Sequence, residues 1–278
     1  VGRVATVVGV SEPLVRFRAA LPSDCRWEPV GGGESGARVF RSADGSRYAK
    51  CVAPGEVAAL ALERDKITWL GGHDIPGPRV LDWRPDGDGA CLVTSAVPGV
   101  PANAASAQDL ALAWDSIADT VRRLHDLPTA ECPFDRGLAR MFAMAQDVVV
   151  RGAVHTEFLP EEQQDTPPTV LLTRLATRLE PRMTQESAEA VVCHGDLCLP
   201  NIILDPETHT VAGFVDLGRL GIADPYADIA LLLADARESW QDERRAGDAD
   251  RAFADRYGID LDAERQRFFL DLDPLTWG

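Results

Sequence analysis

Asp196, Asn201 and Asp216 are the residues whose types and spacing carry chemistry in this sequence. Asp196 closes the run His194-Gly195-Asp196, Asn201 follows five positions later, and Asp216-Leu217-Gly218 begins fifteen positions after Asn201. An apolar approach over Ala190–Cys193 and an apolar exit over Ile202–Leu204 predict strand, loop and strand. The turn Asp205-Pro206-Glu207-Thr208 then sends the chain back toward Asp216. Phosphoryl transfer requires oxygen ligands for magnesium and a carboxylate that orients the attacking hydroxyl. An Asp, an Asn and a second Asp in this order and spacing match a kinase catalytic loop followed by its metal aspartate. His194 reads as a residue that packs and hydrogen-bonds the loop rather than one that reacts.

The upstream half offers groups that could hold a nucleotide. Gly31-Gly32-Gly33-Glu34-Ser35-Gly36 lies between two strand candidates, where backbone N–H groups and the Ser35 hydroxyl can meet phosphate oxygens. It is neither a Walker A run nor a G-x-G-x-x-G fingerprint, and alone it reads equally as a hairpin turn. Lys50 ends Tyr48-Ala49-Lys50, and Glu63 lies on the helix that follows. Taken singly these are a surface lysine and a solvated carboxylate. In this order they suit a lysine that grips phosphates while a helix glutamate fixes it.

The elements that must position these residues fall into two groups. Strands are predicted over Trp27–Val30, Ala37–Arg41 and Arg47–Val52, with Asp44-Gly45 as a hairpin turn. A helix over Glu56–Leu70 and a strand pair over Arg79–Arg84 and Ala90–Ala96 complete the first group. The stiff run Val97-Pro98-Gly99-Val100-Pro101 marks a change to long helical patterns. These cover Ala107–Leu127, Phe134–Arg151, Pro168–Leu179 (reaching Arg182 at most), Tyr226–Trp240 and Asp248–Tyr257. The expectation is an α+β chain of two lobes, 1–97 strand-rich and nucleotide-binding, 98–278 mainly helical and catalytic. Acidic, Pro-bounded Pro160–Pro168 reads as a mobile loop.

Composition narrows the partners. With 28 basic and 44 acidic residues the formal charge is −16, which repels nucleic acid and fits either a cationic ligand or simple solubility. Six cysteines at 25, 51, 91, 132, 193 and 198 form no Cys-x-x-Cys pair and read as reduced thiols of a cytoplasmic protein. Val4–Val10 is too short for a convincing signal peptide, and no run approaches the ~18 apolar residues of a membrane span. Only five residues separate Gly218 from Asp224, with no Ala-Pro-Glu-like segment, leaving no room for a polypeptide-binding activation segment. The expected acceptor is therefore a small molecule.

Along nearly its whole length the sequence resembles the aminoglycoside phosphotransferase family. The resemblance runs through Gly32–Gly36, Gly89–Val93, Pro98–Ala102, Cys132–Phe134, Arg140–Phe142, Val191–Asp196, Pro200-Asn201, Asp216–Gly221 and Tyr226–Leu231. The ending Leu272–Gly278 and the block Cys193–Asn201 point to that family's streptomycin 3''-enzymes. The resemblance implies a two-lobed kinase-like fold and transfer from ATP, with Mg2+, to an aminoglycoside hydroxyl, giving antibiotic resistance. It implies Asp196 as the group that accepts or orients the hydroxyl proton, and Asn201 and Asp216 as metal ligands. Lys50, held by Glu63, would bind the α- and β-phosphates under the glycine loop and Ser35. Tyr48 would stack on adenine, and the backbone from Ser95 to Val97 would bond its edge. Arg219 would lie near the catalytic loop, while Glu238, Asp273 and Gly278 would belong to the acceptor side. A kinase of another small alcohol (choline, homoserine or a sugar) and a nucleotide-sensing pseudokinase are the alternatives. The intact set from Lys50 to Asp216 speaks against the second.

Overall fold

The structure, a computed structural model, describes residues 21–31 and 37–278. Ser35 with its glycine run from Gly32 to Gly36, and the Val4–Val10 stretch, lie outside the described residues. The chain divides into two compact units, Val1–Val97 and Pro98–Gly278.

In the first unit, β1 (Trp27–Val30), β2 (Arg38–Ser42), β3 (Arg47–Val52), β4 (Val80–Asp86) and β5 (Gly89–Ser95) form one antiparallel sheet in the order β1-β2-β3-β5-β4. Side chains alternate across a strand. Ala49 and Cys51 of β3 therefore enter the core with Trp27, Phe40, Cys91 and Val93, and Tyr48 and Lys50 take the opposite face. Helix α1 (Val57–Leu70) buries Leu60, Glu63, Ile67 and Leu70, a single stripe at helical spacing. Glu63 thus occupies a position that sequence period assigns to the core, and it needs a cation there.

One expectation is corrected in this sheet. The register sets Cys51 directly opposite Cys91, with Cα atoms 4.1 Å apart, and the two form a disulfide. Sequence spacing across forty positions could not reveal that the strands align these thiols. Among the described residues, Cys25, Cys132, Cys193 and Cys198 form no disulfide.

The second unit opens with β6 (Val100–Pro101), which pairs with β8 (Ile202–Asp205), and β8 pairs with β9 (Thr210–Phe214). A second antiparallel pair joins β7 (Val191–Cys193) to β10 (Gly221–Ala223). Seven α-helices are described in the chain. Those of this unit are α2 (Ala107–His125), α3 (Leu138–Arg151), α4 (Pro168–Glu189), α5 (Tyr226–Arg237), α6 (Glu243–Tyr257) and α7 (Ala263–Leu272). Leu138, Phe142, Leu171, Tyr226, Phe268 and Phe269 belong to a core shared by α3, α4, α5 and α7.

Helix α4 continues past Pro181 to Glu189, well beyond the expected end near Arg182. Proline removes one helical donor, but tertiary contacts outweigh that loss. Arg182 is buried and reaches Asp262 at 3.3 Å, and Glu186 on the last turns accepts the Leu138 amide at 2.8 Å. Helix α7 was not legible because it is short and rich in charge. Asp262 caps its first turn by accepting from the Arg265 amide at 2.9 Å. The segment 160–168, read as a mobile loop, instead contains a short 3-10 turn at Glu161–Gln163 and is tied down. Gln163 donates to Asp271 at 2.7 Å, and Gln164 donates to the carbonyl of Leu159, itself buried.

Gly99 fixes the entry to this unit. Its φ is +138°, and a Cβ there would lie 2.3 Å from the Leu204 carbonyl oxygen, so the β6–β8 pairing requires glycine. Gly99→Ala is expected to cost at least ~2 kcal/mol through strain plus the forced separation of the strands. Urea unfolding of the variant checks this, and an unchanged midpoint would refute it.

Candidate active site

The loop bearing Asp196 is built on one carboxylate. Asp228 of α5 is wholly buried and accepts the main-chain N–H of His194 at 2.6 Å and of Gly195 at 2.7 Å. His125, at the end of α2, approaches the same carboxylate at 3.1 Å through Nε2, and its Nδ1 lies 2.7 Å from the Tyr257 hydroxyl at the end of α6. An ionised carboxylate only accepts, so Nε2 carries the proton and Nδ1 accepts from Tyr257. Burial alone would raise the Asp228 carboxyl, but the His125 hydrogen bond, the nearby imidazoles and the loop amide hold it below the usual carboxylate range. His125, Cys193 and Asp228 lie close enough together to suggest a metal site. Their atoms are already committed, since both imidazole nitrogens and both Asp228 oxygens are bonded, and Cys193 donates to the Asp224 carbonyl at 3.4 Å. Burial also pushes the Cys193 thiol up, away from the thiolate a metal would need.

Gly195 has φ +82°, and a Cβ there would sit 2.2 Å from the Arg219 carbonyl oxygen. The loop thus passes directly against the turn that follows Asp216. His194 bridges the same two segments. Its Nδ1 accepts the Asp196 amide at 3.3 Å and its Nε2 donates to the Val215 carbonyl at 3.0 Å, the packing and bonding role expected of it. Asn201 donates through Nδ2 to the Asp196 main-chain oxygen at 2.8 Å and to its carboxylate at 3.3 Å, and the Val215 amide returns to the Asn201 carbonyl at 2.9 Å. Asp216 itself sits in the left-handed region at φ +58°, a conformation costing non-glycine residues energy and typical of functional sites. Burial raises the Asp196 carboxyl; His194 and Arg219 oppose it, while Asp273 and Asp216 add to it. Asp196, Asn201 and Asp216 are thereby gathered by loops only a few residues long.

Arg219 and Asp273 lie beside this set, but engaged with each other. Arg219 donates through Nη1 to Asp273 at 3.1 Å and to the Thr276 hydroxyl at 3.2 Å, and Trp277 lies 3.5 Å from its guanidinium carbon. Asp273 is buried and also accepts from the Trp277 indole at 3.0 Å. Arg219, expected near the catalytic loop, and Asp273, expected on the acceptor side, are thus paired with each other in this structure. Glu238 is exposed just past α5, and Gly278 is exposed against Val148 and Ala153. Asp235, unforeseen in the sequence, accepts the Leu199 amide at 2.7 Å and so links α5 to the loop after Asp196. Burial, with Glu238 adding, raises its carboxyl against that hydrogen bond.

In the first unit, Lys50 Nζ meets Glu63 at 2.8 Å. Tyr48 is half-buried on the same strand face, opposite Thr94 on β5. The Ser95 hydroxyl accepts the Arg79 amide at 2.9 Å, and Val97 ends the unit. A cavity of about 590 Å³ lies elsewhere, between α2 and α6, walled by Trp114, Asp115, Trp240 and Arg245. None of the site residues expected from sequence lines it.

A carboxylate made more basic by burial, tied through Asn201 to the segment that leads into a second aspartate with left-handed backbone, suits phosphoryl transfer. Residues 26–268 match the phosphotransferase enzyme family, and the chain belongs to that family. It is 63% identical over 252 residues to the streptomycin 3''-kinase of Streptomyces griseus, covering 91% of this chain and 93% of the relative. An aminoglycoside 3'-phosphotransferase of Streptomyces fradiae is 40% identical over 260 residues, 89% of this chain and 94% of that one. Among solved structures, aminoglycoside phosphotransferase APH(3'')-Id from Streptomyces rimosus in complex with ADP and streptomycin superposes with a TM-score of 0.91 at 60% identity. It covers 96% of this chain and 100% of that one. The kinase-like α+β fold expected from sequence is the fold observed.

Asp228→Asn keeps the shape but leaves one nitrogen facing donors, so stability should fall by about 3 kcal/mol near neutral pH. The wild-type carboxyl is held below its unfolded value of about 3.9. Its contribution is therefore present above that pH and lost as pH falls through the depressed folded value. Denaturation curves across pH should show the gap between wild type and variant closing below about pH 4. A constant gap would contradict the assignment.

Proposed function

We propose that this chain transfers the γ-phosphoryl group of ATP to the 3''-hydroxyl of streptomycin and thereby inactivates the antibiotic. The reading is carried by the Asn201 amide spanning main chain and carboxylate of Asp196, in a chain 63% identical to a streptomycin 3''-kinase. Asp196 is assigned to the acceptor hydroxyl: burial raises its basicity, and it receives or orients the proton as the oxygen attacks.

Magnesium takes hard oxygen donors, and the residues fit it. Asn201 is bonded through Nδ2, which leaves Oδ1 as its ligand atom, and Asp216 supplies a carboxylate from a strained backbone. When bound, magnesium supplies neutralisation of the charge on the transferring phosphoryl oxygens. Lys50, fixed by Glu63, is assigned to the α- and β-phosphates, together with Ser35 and its glycine run. Tyr48 is assigned to the adenine face and the backbone from Ser95 to Val97 to its edge. Glu238 and Gly278 are the acceptor-side assignments, Glu238 offering a carboxylate that can pair with a planar guanidinium. No helix among the described residues is long and apolar enough to cross a membrane. We place the reaction in the cytoplasm, where ATP is available.

Asp196→Ala should lower turnover by ~10³-fold or more while ATP affinity holds, because the residue orients the acceptor and leaves the nucleotide alone. Steady-state kinetics with calorimetric ATP binding tests this, and retention of a tenth of wild-type turnover would remove Asp196 from its role.

Streptomycin should be preferred over kanamycin by at least about ten- to hundredfold. Carboxylates arranged for planar guanidinium groups are left poorly satisfied by ammonium groups, at ~1–3 kcal/mol each. Mass spectrometry of the product, with NMR to place the phosphate, checks both the acceptor and the position. Efficient kanamycin turnover, or phosphate on another streptomycin hydroxyl, would overturn the substrate assignment.

A further inference from the structure

We propose that Arg136 is a positioning residue for phosphoryl transfer, a second buried cation behind Asp273 that fixes Arg219 and, through Arg219, the loop carrying Asp196. The proposal rests on the phosphotransferase reading above. It begins from a side chain that ordinary packing does not explain. Arg136 is 4% exposed, its Nη1 lies 3.6 Å from the Met144 sulfur, and its Nε and Nη2 have no hydrogen-bond partner among the described residues. The nearest carboxylate, Asp273, is 3.8 Å from Nη2, an ion pair by distance but without a hydrogen bond. Burying a cation with donors unmet is costly, and an apolar side chain of similar volume would serve the core better.

The backbone shows that the placement is held firmly. The Arg136 amide donates to the Ile222 carbonyl at 3.0 Å, the Ile222 amide donates to the Phe134 carbonyl at 2.8 Å, and Asp135 forms a bridge with Ile222. The segment is thus zipped onto β10, three residues past Arg219. A Cβ on Gly221 would come within 3.0 Å of the Arg136 nitrogen, so the approach is as close as backbone allows.

The electrostatic neighbourhood gives the residue its work. Burial, and then Arg219, draw the Arg136 guanidinium down to about 10, against Asp273, Asp196 and Asp228, so it stays charged at neutral pH. Asp273 Oδ1 therefore sits between two guanidinium groups, bonded to Arg219 at 3.1 Å and facing Arg136 at 3.8 Å. Repulsion between the cations and attraction to the shared carboxylate define one arrangement of the three. Thr276 and Trp277 complete the seat of Arg219. The Arg219 carbonyl in turn abuts Gly195, next to Asp196.

Kinases that act on polypeptides order comparable loops by phosphorylation, which creates new arginine–phosphate pairs. Here only five residues separate Gly218 from Asp224, and a permanent carboxylate with two arginines does the ordering.

The test uses the full chain with R136M and R136K, measuring kcat, KM for ATP and streptomycin, and Tm. R136M removes a buried charge, so Tm should stay level or rise. Turnover should nevertheless fall about ten- to hundredfold, with both KM values within about threefold, because loss of positioning is felt in the transition state. R136K, which restores a charge without the planar fork, should recover part of kcat. R136M with half or more of wild-type kcat would overturn the proposal. So would a Tm drop of more than about 5 °C accompanying the loss of kcat, since that marks a merely structural residue. If R136M does not fold, R136K decides, wild-type kcat at unchanged KM and Tm being the refuting result. Should the wild type prefer another acceptor, the same ratios are read on that acceptor, so the two readings fail separately.

Discussion

Main-chain amides in a buried loop must find acceptors, and here those of His194 and Gly195 find the same carboxylate. Asp228 has no contact with water, so it is tolerable as an ion only because three donors converge on it. Two of them belong to the loop bearing Asp196, and the third is His125, itself locked by Tyr257. Helices α2, α5 and α6 thereby share one hydrogen-bonded knot with the residue before Asp196. The loop cannot shift without leaving a buried charge unsatisfied. This constraint turns a short polar loop into a fixed platform.

From that platform the remaining contacts follow in sequence. The positive φ of Gly195 brings the loop against the Arg219 carbonyl, and only glycine permits that approach. His194 and Asn201 then tie the loop to Val215, the residue before Asp216. Asp196 and Asp216 are consequently oriented by different strands but by one continuous set of short bonds. The first unit shows the same economy. Glu63 falls on the buried stripe of α1, and the alternation of β3 turns Lys50 to meet it.

Much of this was legible in the sequence because it is local. The spacing of Asp196, Asn201 and Asp216 reflects loop lengths, and loop lengths survive in sequence as counts. Lys50 and Glu63 were legible as an ordered pair on strand and helix. The expected strands were displaced by at most a few residues, since hydrophobic alternation marks their centres better than their ends. The misses are long-range. Asp228 lies in an apolar helix and looks like a cap or a solvated carboxylate until α5 is seen beneath the loop. His125 and Arg136 sit at the ends of unrelated segments, with no spacing rule joining them to Asp196. The Cys51–Cys91 bond depended on strand register, and the course of α4 through Pro181 depended on Arg182 and Glu186 finding partners elsewhere.

The arrangement around Arg219 also sets the charge that the proposed transfer to a cationic acceptor would meet at Asp196. Burial raises the Asp196 carboxyl, and His194 and Arg219 oppose that rise. Too much positive charge would repel an acceptor bearing guanidinium groups, since charges at close range and low effective dielectric interact by several kcal/mol. Asp273 offsets this by neutralising one of the two guanidinium groups behind the site, and its own contact with water is small. What remains is roughly one net positive charge from these three side chains. Under the proposed function, Asp273 is also the counter-ion that lets two arginines stand near Asp196.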